Sequence, residues 1–178
     1  MKIPIVDNND NVIGEEEGKV VHEKGLCHRE INVYFVTKDK KIIFQKRSLS
    51  KKLWPGKLDA TAGGHVDSGE DYPEAAIRES EEETGVKIKP EKMRFIKKYF
   101  SEIKQPITGL INKKFKTVFA YDFDGDIKDL KIEKEDGDGF VSYSLDELLN
   151  LSSEQKELFI PSFITKEYIS EIYSKIIK

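Results

Sequence analysis

Residues 64–86 read GHVDSGEDYPEAAIRESEEETGV and join a glycine-containing loop to a strongly acidic segment. The pattern predicts a helix from about Tyr72 to Thr84, with Pro73 in its first turn and Gly85 ending it where a left-handed residue is favoured. Carboxylates at positions i, i+3 and i+4 of this helix share one stripe of its surface. They are Glu79, Glu82 and Glu83.

The acidic stripe admits two interpretations. Most charge runs are solvated faces, but such faces usually interleave lysine at i+4, and this one offers only Arg78 as a cation. Like charges on one stripe repel by roughly 0.2–0.5 kcal/mol per pair on an exposed helix. A hard divalent cation would remove that repulsion, because Mg²⁺ prefers carboxylate oxygen. The helix alone leaves the two interpretations about even.

The loop before the helix favours a metal site. Gly63 and Gly64 permit a tight backbone passage that a side chain would block, and Glu70 supplies a fourth carboxylate. The glycine, glutamate and arginine positions and their spacing resemble the Nudix box. Ser80 departs from the family pattern, which usually has an aliphatic residue there. Because Ser80 faces the predicted sheet on the helical wheel, the departure concerns packing rather than metal binding.

Composition places the chain among ordinary globular proteins. Its 178 residues, 38% hydrophobic and 35% charged, predict a single domain over 1–178. A net charge of −3 without a basic block disfavours a nucleic-acid polymer as partner. No apolar run approaches the roughly 18 residues of a membrane-spanning helix. Cys27 is the only cysteine and the N-terminus lacks a signal-peptide pattern, so we expect a cytoplasmic protein.

Strand-forming segments outnumber helical ones, which predicts an α/β sandwich built on a mixed sheet. The C-terminal segment, about 154–178, carries apolar residues at helical spacing and is expected to pack as helix. The expected strands and hairpins lie at about 3–14, 31–47, 93–103, 115–123 and 139–143.

The resemblance implies a Nudix-type α/β/α sandwich and a metal-dependent hydrolase. The substrate would be a small-molecule diphosphate, either a nucleoside diphosphate linked to another moiety or a related organic diphosphate. By this likeness Glu79, Glu82 and Glu83 would bind Mg²⁺ or Mn²⁺, and Glu82 or Glu83 would take the proton of the attacking water. Arg78, grouped with the catalytic residues, and Glu70 would orient the metal ligands without binding the ion.

Several assignments stay open at this point. Phosphate contacts are expected at Arg47, Lys57, Gly63 and Gly64. A homodimer is left open. In some Nudix enzymes the general base lies in a later loop, and here that loop offers Glu133, Glu135, Asp136 and Asp138.

Other segments, such as Trp54–Asp59, resemble the isopentenyl-diphosphate-isomerase-like branch of the superfamily. The isomerase uses a cysteine followed by serine and histidine, and residues 63–65 here are Gly-Gly-His, so hydrolysis is favoured over isomerisation. His22, His28 and His65 fall near the isomerase's metal histidines, His22 only after a one-residue shift. Lone histidines are usually structural, so metal binding by these three is left open. A ligand-binding domain without catalysis is less favoured, because no box glutamate is lost.

Overall fold

The computed structural model describes residues 2–104, 109–132 and 137–178. Its strands are β1 (Lys2–Val6), β2 (Val12–Glu17), β3 (His28–Val36), β4 (Lys41–Arg47), β5 (Leu58–Asp59), β6 (Ala62–His65), β7 (Met93–Lys104), β8 (Ile111–Asp122) and β9 (Gly137–Ser144). Its α-helices are α1 (Gly18–Lys24), α2 (Tyr72–Thr84), α3 (Leu145–Leu149), α4 (Ser153–Lys156), α5 (Lys166–Tyr168) and α6 (Ser174–Ile176). Three 3₁₀ turns and one π-helical turn in these ranges are Pro90–Lys92, Ile127–Asp129, Pro161–Ile164 and Ile169–Tyr173.

A mixed sheet organises the fold and confirms the predicted α/β class. Its strands follow the order β5-β4-β3-β8-β7, with β6 also paired to β3 and β9 to β4. Strands β3 and β8 run parallel, and the other pairs in the sheet are antiparallel. The β1–β2 hairpin forms a separate two-stranded sheet.

The hairpin expected over 31–47 forms only near its turn. Strands β3 and β4 pair at Val36 and Ile42 and then separate. Strand β6 instead pairs with β3 from Glu30 to Val33, while β9 pairs along β4. The hairpin prediction was therefore wrong in its extent, because β6 pairs with β3 and β5 pairs with β4 along the edges that these two strands would have offered each other.

Two apolar layers cover the two faces of the sheet. Successive side chains of a strand point to opposite faces, so β3 contributes to both layers. Val33 and Phe35 belong to the layer under α2, whereas Tyr34 belongs to the layer under the C-terminal helical segment. These layers make the molecule an α/β/α sandwich. No helix in the described ranges is both long and apolar enough to cross a membrane.

Helix α2 begins and ends at the predicted residues. Asp71 caps its start and forms a capping box with Glu74, through bonds of 2.9 and 2.8 Å between each side chain and the other's backbone N–H. Gly85 ends the helix in the left-handed region at φ 69°. The small side chains Ala75 and Ala76 are fully buried, which lets the helix lie close to β3 and β6.

The C-terminal apolar stripe packs inward. Ile169, Ile172, Tyr173 and Ile176 are buried in the layer that also contains Tyr34. The helical segment expected there consists of short turns, including the π-helical turn before α6. The stripe is therefore a core contact, and the homodimer stays a prediction without support from this surface.

Candidate active site

The acidic helix meets the sheet at the two glycines of β6. A Cβ built on Gly64 would lie 2.1 Å from Oε1 of Glu79, so a side chain there would displace this carboxylate. The backbone N–H of Gly63 donates to Oε2 of Glu83 at 3.3 Å. Gly64 thus admits a carboxylate that a side chain would displace, whereas a Cβ on Gly63 would meet Oδ1 of Asn32 at 2.9 Å and the carbonyl oxygen of Ile31 at 3.0 Å.

Arg78 holds the carboxylates of the loop and the helix together. Its Nε and Nη2 donate to the two oxygens of Glu70 at 2.8 and 2.9 Å. Its Nη1 donates to Glu79 at 2.8 Å and to Glu82 at 3.1 Å. A further bond from Nη2 reaches the carbonyl oxygen of His65 at 2.9 Å. One guanidinium therefore fixes the relative positions of three carboxylates, and the role of Arg78 in orienting metal ligands stays a prediction.

The carboxylates differ in their surroundings. The Glu82 side chain is 53% exposed, whereas that of Glu79 is 12% exposed. Burial raises the pKa of Glu79. Burial, followed by the charges of Glu79 and Asp59, raises the pKa of Glu83 to about 8. Burial therefore disfavours the ionised forms of Glu79 and Glu83.

This donor set fits a hard divalent cation. Glu79, Glu82 and Glu83 supply carboxylate oxygens, and the missing side chain at Gly64 leaves the space that Glu79 occupies. Magnesium and manganese prefer such oxygen ligands. A bound cation would also favour the ionised forms that burial disfavours.

The predicted phosphate-binding cations are engaged within the protein. Nη1 of Arg47 donates to Asp59 at 2.7 Å, and its Nε donates to the carbonyl oxygen of Leu53 at 3.1 Å. The Lys57 ammonium donates to the carbonyl oxygen of Glu157. Phosphate binding by Arg47 and Lys57 stays a prediction.

The acids of the later loop lie mostly outside the described residues. Glu133, Glu135 and Asp136 fall in 133–136, which the structure does not describe. Asp138 lies in β9 and is exposed. A general base from this loop also stays a prediction.

The three histidines of the chain lie together beside β6. Their ligand atoms are all within 4.8 Å of one another, and the Nε2 atoms of His22 and His65 are 3.1 Å apart. His28 is fully buried and its Nδ1 lies 3.1 Å from the carbonyl oxygen of Leu26. Burial lowers the pKa of His65 to about 4, and burial followed by the charge of His28 lowers that of His22. The clustering makes both a metal and an anion conceivable ligands for this region.

Next to the histidines lies a charged cluster that the sequence analysis missed. Lys114 and Lys116 of β8 both contact Glu30 of β3, at 2.6 and 3.2 Å, and Lys116 also contacts Asn32. A signal was present in the sequence: in a strand, residues 114 and 116 share a face with the apolar residues 118 and 120. Two lysines that continue an apolar face are expected to be buried, and buried lysines need a reason.

The fold and the site define an α/β/α sandwich in which a carboxylate-bearing helix follows a pair of glycines on a mixed sheet. The model of the NUDIX domain matches residues 27–163, so the chain belongs to the Nudix family. An uncharacterised Nudix hydrolase of Clostridium acetobutylicum is 30% identical over 172 residues, which cover 93% of this chain and 81% of that protein. Several other curated Nudix hydrolases align with this chain over only about half of their length.

Solved structures show the same fold. A crystal structure from Deinococcus radiodurans has a TM-score of 0.64 and 26% identity, covering 84% of this chain and 86% of that one. The NUDIX domain of Shewanella oneidensis NrtR, complexed with ADP ribose, has a TM-score of 0.53 and 13% identity, covering 73% and 80%. At that identity the second likeness shows the fold alone. The chain is a hydrolase of the Nudix family, and the isomerase-like branch is not confirmed.

Proposed function

We propose that the chain hydrolyses a diphosphate bond in a nucleoside diphosphate linked to another moiety, or in a related organic diphosphate. The reaction depends on Mg²⁺ or Mn²⁺ and proceeds by attack of water at phosphorus. One observation carries the proposal: Arg78 gathers Glu70, Glu79 and Glu82 beside the glycine pair. The family assignment supports it, since Nudix hydrolases generally cleave pyrophosphate bonds with divalent ions.

Glu79, Glu82 and Glu83 are the residues that would hold the ion. When bound, a divalent ion neutralises charge on the leaving phosphate and lowers the pKa of its water. The rest of the work falls to the protein. Arg78 keeps two of these carboxylates in place, and Gly64 leaves the space that the Glu79 carboxylate occupies. Phosphate contacts at Gly63 and Gly64 stay predictions.

Glu83 is the better placed of the two candidate bases in the box. Its carboxylate accepts from the Gly63 N–H at 3.3 Å, and burial raises its pKa to about 8, which makes the ionised carboxylate a stronger base. Glu82 is half exposed, with its nearest cation on Arg78. We assign Glu83 to take the proton of the attacking water in addition to its place among the metal-binding carboxylates, and Glu82 to metal binding alone.

A substrate panel tests the proposal. The purified chain is incubated with Mg²⁺ and nucleoside diphosphate derivatives, then with isopentenyl diphosphate, and products are separated by anion-exchange chromatography. We expect phosphate-containing cleavage products that disappear with EDTA. Dimethylallyl diphosphate as product would instead indicate an isomerase. Binding of a panel member without any product would indicate a domain that senses its ligand.

A matched pair of variants tests the carboxylate assignment. Glu83→Gln should lower hydrolysis by about 100-fold or more, because a lost ligand removes several kcal/mol of transition-state stabilisation. Glu81→Gln removes the same charge from an exposed position of the same helix and should stay within about twofold of wild type. Glu83→Gln within about threefold of wild type would show that the metal assignment is wrong.

A further inference from the structure

Two buried lysines on the inner face of β8 have no role in the metal site. The side chains of Lys114 and Lys116 are 13% and 11% exposed. Burying an ammonium is costly unless an opposite charge compensates it. Both lysines contact the same carboxylate, that of Glu30, at 2.6 and 3.2 Å. The Glu30 carboxylate is therefore the counter-ion of both ammonium groups.

The charges of this cluster do not balance. Two lysines and one glutamate leave one net positive charge, even with the nearby histidines neutral. Asp59 also acts electrostatically on Lys114, but its carboxylate is paired with Arg47 at 2.7 Å. An anion that is not among the described residues would supply the one negative charge that neutralises the cluster.

The cluster also has unused hydrogen-bond donors. Lys116 donates to Oδ1 of Asn32 at 3.1 Å, which fixes the orientation of this amide. The Nδ2 group of Asn32 is then buried without a partner among the described residues. Buried donors without partners are uncommon and point to a ligand with acceptor oxygens.

The cluster adjoins the carboxylate site through one residue. Asn32 pairs with Gly63 across the β3–β6 ladder, and the N–H of Gly63 donates to Glu83. A Cβ on Gly63 would lie 2.9 Å from Oδ1 of Asn32. Gly63 therefore lies between Asn32 and the Glu83 carboxylate. An anion bound by the lysines would be separated from the metal-binding carboxylates by this glycine.

We propose that Lys114, Lys116 and Asn32 form an anion pocket that holds a phosphate group of the substrate beside the metal-binding carboxylates. The proposal rests on the proposed function and assigns residues to the second phosphate of its diphosphate substrate. The substrate carries a phosphate next to the one that the metal engages, and the pocket fixes which of the two is attacked. Lysine ammonium groups and an amide N–H are suitable donors for phosphate oxygens.

A metal ion on the three histidines is the competing interpretation of this region. Their nitrogen atoms are close enough for one ion. Among the described residues, the carboxylate that lies beside them is Glu30, at 3.4 Å from His28, and it is already paired with Lys114 and Lys116. A divalent ion would add two positive charges to a cluster that has one in excess. The anion is therefore favoured, and metal binding becomes an outcome of the test.

Calorimetric titration of inorganic phosphate into the full chain with EDTA tests the pocket without any turnover. Wild type should bind phosphate, and Lys116→Met should weaken that binding at least about tenfold. Lys113→Met is the matched control, because Lys113 lies on the other face of β8, is 39% exposed and pairs with Glu102. Its affinity for phosphate should stay within about twofold of wild type.

Glu30→Gln distinguishes phosphate binding by the lysines from an effect of misfolding. It raises the net charge of the cluster, so phosphate should bind at least about threefold more tightly, which a damaged fold would not produce. No phosphate binding by wild type, or equal binding by wild type and Lys116→Met, would overturn the proposal. The binding of one Zn²⁺ per chain would also overturn the proposal, if it is lost in His65→Gln and unaffected by phosphate. Phosphate binding with no hydrolysis of any diphosphate would reject the proposed function and keep the pocket.

Discussion

Arg78 and Glu70 form a two-pronged ion pair, with Nε and Nη2 of the arginine at 2.8 and 2.9 Å from the two glutamate oxygens. This leaves Nη1 to hold Glu79 and Glu82. Glu70 also accepts from the N–H of Asp67 at 3.0 Å, so the arginine is anchored to the loop. The carboxylates of Glu79 and Glu82 are thus positioned from the loop, through one rigid guanidinium.

Arg78→Lys tests whether Arg78 acts by positioning the carboxylates or only through its positive charge. Lysine keeps the positive charge but has no planar fork, so it cannot hold Glu70 and Glu79 together. We expect turnover and Mg²⁺ affinity each to fall about 10- to 100-fold, as for other residues that support metal ligands. Steady-state hydrolysis over a range of Mg²⁺ concentrations measures both. Arg94→Lys, which alters an arginine bonded to Asp122 and Ile176 instead, is the control and should leave both within about threefold. Unchanged Mg²⁺ dependence in Arg78→Lys would contradict the positioning role.

Gly64→Ala should disable the site through one methyl group. The added Cβ would lie 2.1 Å from Oε1 of Glu79, so the carboxylate must move. Misplacing a catalytic group by about 1 Å can cost on the order of 100-fold, and we expect a loss of kcat/KM of this order. Gly14→Ala is the control, because nothing lies within 4 Å of the Cβ built there.

A double-mutant cycle shows whether Glu79 transmits the effect of Gly64→Ala. If it does, adding Gly64→Ala to Glu79→Ala should cost little beyond Glu79→Ala alone. Additive losses of kcat/KM would mean that the glycine acts by another route.

Asp10 should give the protein an acid-sensitive stability. Burial opposes ionisation of Asp10, but hydrogen bonds from Lys98, Arg29 and Tyr72 outweigh it and hold its pKa below the ordinary value. A carboxyl with a lowered folded-state pKa contributes stability above its unfolded pKa, and this contribution is lost as pH falls through the folded pKa. Asp10→Asn should therefore destabilise the protein at pH 6 and much less near pH 3.

Urea unfolding of the metal-free protein at several pH values checks the Asp10 prediction. Glu91→Gln removes a charge from an exposed position and is the control for the loss of one carboxylate. A free-energy difference between wild type and Asp10→Asn that stays constant from pH 6 to pH 3 would contradict the linkage.

The features that could be predicted from the sequence are local ones. The ends of α2 were predictable because Pro73 and Gly85 act within one turn of the helix. The meeting of Lys114 with Glu30 was not, because it depends on β3 and β8 pairing in parallel across 84 residues. The separation of β3 from β4 escaped prediction for a similar reason, since local hairpin signals carry no information about the distant strand β6.

Ser80 is the one departure from the family pattern, and its effect should be on stability alone. The side chain is 0% exposed and its hydroxyl has no hydrogen-bond partner among the described residues. A buried unsatisfied hydroxyl costs about 1–3 kcal/mol, so Ser80→Ala should raise the free energy of unfolding by about 1 kcal/mol after the small cavity is counted.

Thr84→Val provides the contrast to Ser80→Ala. Its hydroxyl donates to the carbonyl oxygen of Ser80 at 2.5 Å and accepts from the N–H of Val86, so its removal should destabilise the protein by about 1 kcal/mol. Urea unfolding without metal measures both variants, and hydrolysis by Ser80→Ala should stay within about twofold of wild type. A loss of stability in Ser80→Ala would mean that the hydroxyl is bonded in solution, by water or by a residue beyond the described ranges, and that serine is kept at this position for that bond.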